Sequence, residues 1–112
     1  MKTILDSFSS AIKTSRQLLD ESDGERRAVK WEVVFMDDSR LIAYESSASF
    51  SGRFKYNYHW MRPENELLIR WDNNPHYQHL STFPHHLHAG SDPEARVSEP
   101  MTLQKVLPFI AA

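Results

Sequence analysis

Apolar residues near the start of the chain recur at helical steps. Ile4, Phe8, Ala11, Ile12 and Leu19 follow one another at three- and four-residue intervals once Ser15, a weak member, is counted. The spacing predicts a one-faced amphipathic helix over 1–22, of roughly four to five turns. Thr3 or Asp6 is placed to cap its start, and Gly24 stops the pattern after "DESD". Such a helix packs on a sheet or docks on a partner.

From residue 28 the period changes to two. Val29, Trp31, Val33 and Phe35 share one face of "AVKWEVVFM", and Leu41, Ala43 and Glu45 share one face of "RLIAYESS" beyond the short "DDSR" turn. "GRFKYNYHWM" puts Phe54, Tyr56, Tyr58 and Trp60 on one side and Arg53, Lys55, Asn57, His59 and Met61 on the other. After the "RPEN" turn, Leu67, Ile69 and Trp71 alternate with Leu68, Arg70 and Asp72. Short turns between successive strands favour an antiparallel meander. Residues 73–99 carry three prolines and little periodicity, which reads as a histidine-rich loop with room for one short strand at 85–88. "TLQKVLPFI" predicts a short closing helix within 100–111, with Leu103, Val106, Leu107 and Ile110 on one side. Pro100 fits its first turn and Pro108 kinks its end. The expectation is a single α+β domain over 1–112: an antiparallel meander of four to six strands centred on 28–72, with an N-terminal and a C-terminal helix.

Composition narrows the function classes. The 112 residues include no cysteine, which removes disulfides and every thiolate metal site and agrees with a cytoplasmic location. A formal charge of −2 argues against nucleic-acid binding by bulk charge, while leaving room for a local basic patch. No apolar run is long enough to cross a membrane, and the first residues lack a signal-peptide pattern.

The chemistry concentrates late in the chain. Five of six histidines (His76, His79, His85, His86 and His88) fall within thirteen residues. If 85–88 is extended, His86 and His88 point the same way, roughly 6–7 Å apart, and His85 points opposite. Two imidazoles on one side suit a base and an acid, because histidine titrates near neutrality. The same H-x-H pair suits a metal, with Asp72 or His76 completing the set. A third reading has the rings bonded to loop backbone for structure alone. "RWDNNPH" places Arg70 and Asp72 on one face at the end of a strand, followed by Asn73 and His76. Arginine there suits a phosphate, and Asp72 suits holding a histidine tautomer. Arg53, Lys55, Asn57 and His59 form a polar strip that Arg70 extends, the kind of sheet face that takes an RNA backbone or simply faces water.

The run "YNYHW…LLIRWDNNPHYQHLSTFPHHLH" resembles the TumE family of toxins from type II toxin–antitoxin modules. The likeness is carried by Tyr56, Tyr58, Trp60, Arg70, Asp72, Asn73, Pro75 and His76, and then by Ser81 to His86 and His88. Asn74 and Leu87 depart from the family pattern, in which a small residue and a basic residue are common at those places. The resemblance implies a growth-inhibiting toxin with a cognate helix-turn-helix antitoxin as partner. It carries no assigned catalytic residue, so the chemistry has to come from the side chains present.

Three functions compete. The first is a metal-independent endoribonuclease that needs no cofactor. In it His86 and His88 handle protons with His76 in reserve, Arg70 holds the phosphate and Asp72 holds a histidine. RNA would be bound by Asn73, Lys55, Arg53, His59 and His85, and Tyr77 or Phe83 would stack on a base. The second is a toxin that binds and blocks a host machine without cutting. The third is a metal-dependent nuclease. The N-terminal helix, through Phe8 and Ile12, is the expected antitoxin contact. A homodimer stays open.

Overall fold

The computed structural model describes residues 1–112. One seven-stranded antiparallel sheet runs through the chain with its strands in sequence order: β1 (Ile12–Ser22), β2 (Arg26–Phe35), β3 (Arg40–Ala48), β4 (Arg53–Met61), β5 (Leu67–Asp72), β6 (His86–Ala89) and β7 (Arg96–Val97). Two helices, α1 (Lys2–Asp6) and α2 (Leu103–Ala111), complete an α+β fold. No helix is long and apolar enough to cross a membrane.

Alternation sorts the sheet into two unlike faces. Val33, Phe35, Leu41, Ala43, Tyr56, Tyr58 and Trp71 point to one side, where Leu5 from α1 and Leu103, Val106 and Leu107 from α2 cover them. Burying side chains of this size contributes about 1.5–3 kcal/mol each. Glu45, on the same face, accepts a 2.5 Å hydrogen bond from the Tyr58 hydroxyl. Burial and this carboxylate push the Tyr58 hydroxyl well above the usual phenol range.

Three expectations need correction. The segment expected to be a helix over 1–22 is five residues of helix and an eleven-residue edge strand. Its register against β2 slips between Ile12 and Thr14 and again between Gln17 and Leu19. Two bulges break the period of two, so the apolar residues keep a spacing that imitates a helix. The sheet has seven strands rather than four to six, because β1 and the two short strands β6 and β7 join the expected meander. The stretch 73–99 is therefore only partly loop. Pro100 also lies outside α2, whose N-cap is Thr102, and Pro108 sits inside it. That proline withholds a donor from Gln104, a solvent-exposed residue. Both helices serve to cover the apolar face, and Phe8 and Ile12 pack against the core.

Candidate active site

The second face of the sheet carries no helix. Strand register places Lys30, Tyr44, Asn57, Asp72 and His86 in one row across five strands. Glu32, Ile42, His59, Arg70 and His88 form the next row. Asp72 thus stands opposite His86, and Arg70 opposite His88. Residues facing one another in this way hold their side chains in contact.

His86 is the most constrained of the group. Its ring is 1 % exposed. Nδ1 lies 2.9 Å from the Pro84 carbonyl, which only accepts, so Nδ1 carries a hydrogen and donates. Nε2 lies 2.9 Å from Asp72 Oδ1. A neutral ring that donates through Nδ1 has a bare lone pair at Nε2, and an ionised carboxylate offers only lone pairs. Something positive has to lie between those two atoms. Asp72 is buried too, and its Oδ1 also accepts from the Asn74 amide at 3.0 Å.

His88 is the opposite case. It is 8 % exposed, and its buried Nε2 has no hydrogen-bond partner. Burial holds the His88 imidazole below its usual value, and the charges of Arg70 and His86 lower it further against an opposing pull from Asp72. It is a neutral base with a free nitrogen. The His86 and His88 rings are edge-to-face at 5.1 Å, and Tyr77 from the loop between β5 and β6 lies across both at 4.7 and 5.5 Å. Arg70 Nε comes within 3.3 Å of Asp72 Oδ2 yet is angled away from a hydrogen bond, which leaves a buried donor unused. The ligating atoms of Asp72, His86 and His88 all lie within 4.8 Å of one another.

The other expected site residues divide three ways. His76 is exposed and takes no part in the cluster, and Phe83 is 41 % exposed. His85 points to the opposite face, where its Nδ1 meets the Tyr56 hydroxyl at 2.7 Å and its ring stacks on Tyr56. Asn73 has both ends of its amide tied to β4, accepting from the Tyr56 amide at 3.0 Å and donating to the Phe54 carbonyl at 2.8 Å. Lys55 and Arg53 lie farther along the open face. With Arg26, Phe50 and Ser46, Ser47 and Ser51 they line a hollow of about 570 Å³. His59 lines a shallower groove of about 350 Å³ with Lys30, Tyr44 and Asn57, between that hollow and the histidines.

The sequence reading missed two contributors. The Pro84 carbonyl fixes the His86 tautomer. The Thr82 hydroxyl donates to the His85 carbonyl at 2.7 Å and accepts from the Ser98 amide at 3.1 Å, pinning the loop that delivers β6. A proline just before the histidine pair was the one available signal for the first. Nothing local announced the second, because Ser98 is sixteen residues away.

The sequence model of one protein family, described as Toxin TumE, matches residues 1–112. No curated protein and no solved structure matches the chain.

Proposed function

The chain belongs to the TumE family of toxins, and we propose that it arrests growth by cutting RNA at the centre formed by Asp72, His86, His88 and Arg70. Membership makes it the toxin of a toxin–antitoxin module, with a cognate antitoxin as its partner. The choice of RNA as target is supported by one observation: the helix-free face runs unbroken from a basic hollow to the buried histidine centre.

Arg26, Arg53 and Lys55 supply three cations around that hollow. Phe50 is 67 % exposed there, with the Arg26 guanidinium 5.7 Å from its ring centre. Exposed aromatic and guanidinium planes are stacking platforms for unpaired bases, and the cations suit phosphates. From Arg53 along β4 to Asn57 is about 13 Å of strand. Asn57 lies directly across from Asp72. A single strand a few nucleotides long that enters at the hollow therefore reaches the histidines.

At the centre, which has to open because His88 Nε2 is buried with Tyr77 against its ring, the 2′-hydroxyl loses its proton to that nitrogen. Its oxygen bonds to phosphorus, the bond from phosphorus to the 5′ oxygen breaks, and that oxygen leaves with a proton from water. Arg70, one-third exposed with a spare donor, holds the phosphate as its charge builds. His86 does not serve as the acid of a free pair, since both its nitrogens are engaged; it positions Asp72 and the neighbouring ring.

The test is cleavage of RNA by the purified toxin, read by sizing the products and analysing their ends. Arg70→Ala is expected to slow cleavage about 100-fold or more, and His88→Gln to abolish it, each with an unchanged circular dichroism spectrum. Growth arrest without any RNA cut would replace this reading with that of a toxin that only binds.

A further inference from the structure

We propose that Asp72, His86 and His88 bind one divalent cation of the zinc or manganese class. The ion would occupy the His88 nitrogen assigned above to the 2′-hydroxyl proton, so the two roles of that nitrogen exclude one another; the use of the ion rests on the ribonuclease reading, and its binding does not.

Two independent observations lead to it. The first is the pair of facing acceptors. With Nδ1 donating to the Pro84 carbonyl, His86 Nε2 and Asp72 Oδ1 confront one another at 2.9 Å. A donated hydrogen at the far nitrogen, bonded to a carbonyl, is how a metal-binding imidazole is ordinarily aimed. The second is His88 Nε2, a buried ring nitrogen without a partner, in a residue 8 % exposed. A single extra proton satisfies the His86–Asp72 pair and leaves His88 bare. One metal ion satisfies all three atoms.

The distances agree. Ligands about 2.0–2.2 Å from a metal lie about 3 Å apart at right angles and about 3.4 Å apart at the tetrahedral angle usual for zinc, so the His86–Asp72 pair at 2.9 Å has only to open slightly to admit the ion. His88 offers a ligand atom within 4.8 Å of both. All three side chains stand on adjacent positions of β5 and β6, so the backbone supplies the rigidity. Two imidazoles and one carboxylate favour a first-row transition cation over magnesium or calcium, which prefer oxygen. Three protein ligands leave a position for water or a substrate oxygen, as in catalytic zinc centres. Arg70, cationic and with an unused Nε donor, stands opposite His88 and 3.3 Å from Asp72. A phosphate that meets both the ion and Arg70 offsets the repulsion between them.

The experiment uses the full chain without a histidine tag, stripped with chelator and titrated with Zn²⁺ alone. The expected result is about one equivalent bound, a raised melting temperature, and binding weakened roughly tenfold or more in His88→Gln and Asp72→Asn. His76→Ala and His79→Ala, at exposed rings, should bind as the wild type does. Nitrogen chemical shifts of the His86 and His88 rings should move together during titration of the wild type, a readout that does not depend on any variant folding. No binding at micromolar Zn²⁺, or binding lost in the His76 and His79 variants but kept in the other two, would overturn the site. RNA cut at full rate by protein that binds no ion would also overturn it, leaving the ribonuclease reading intact with His88 as a simple base. An ion bound at these residues by protein that cuts no RNA supports the site and removes the ribonuclease.

Discussion

His86 explains why a scan of histidine-to-alanine changes would mislead. Its ring fills a buried space, donates one hydrogen bond to the Pro84 carbonyl and faces Asp72 at 2.9 Å. Removing it leaves a cavity and takes from Asp72 its closest partner, so His86→Ala should destabilise the fold by about 3 kcal/mol, read as a lowered urea midpoint. Loss of toxicity in that variant would report unfolding as much as chemistry. His59 makes a different prediction. Partial burial lowers its imidazole below the usual 6.5, and the guanidinium groups of Arg70 and Arg40 lower it further, with Lys30 in the same groove. The unfolded chain then takes a proton at a pH where the folded chain refuses it. Stability is full above the unfolded value and falls as the pH drops through the window beneath it. Replacing the ring by asparagine should flatten the urea midpoint between about pH 7 and about pH 5. At this scale the H-x-H spacing was legible, because a strand puts alternate residues on one side: His86 and His88 share a face, and His85 takes the other. What the spacing hid was who satisfies each ring nitrogen. That depends on the Pro84 carbonyl, for which the proline before the pair was the one signal, and on β5, which no local pattern encodes.

The strands with a regular period were legible, and the ones without were not. β2 to β5 alternate cleanly, since each packs an apolar side against the helices. β1 lies at the sheet edge with only Ile12 and Leu19 partly buried, so it had little hydrophobic signal to show, and its bulges corrupted that little. Propensity alone was a weak guide there, and pairing with a waiting edge of β2 decided the outcome. Asn73 is a related case. Next to Arg70 and Asp72 in sequence it looked like a substrate contact. Its amide instead continues the β4–β5 pairing past the last residue of β5. Asn73→Ala should therefore cost about 1–3 kcal/mol in urea denaturation. It should leave RNA affinity unchanged at temperatures where the variant is folded. Weakened RNA binding by a fully folded Asn73→Ala would restore the amide to the binding surface.

Over the whole molecule, charge is nearly balanced and yet unevenly spread. Fifteen acidic residues against thirteen basic ones give RNA no general attraction, so any binding has to come from cations gathered in one place. The hollow lined by Arg26, Arg53 and Lys55 is such a place, and it lies on the same face as the histidine centre. For a single strand, each phosphate neutralised adds about 0.7 to the slope of log affinity against log salt. Replacing all three by alanine should flatten that slope by about 2 and weaken binding at low salt far more than at high salt. The three side chains are exposed, so the fold should lose little. The zinc content should not change, because none of them stands directly across from Asp72, His86 or His88 in the strand register. A slope that stays where it was would mean that RNA does not travel across this face. The buried centre would then have to be reached by another substrate or another path.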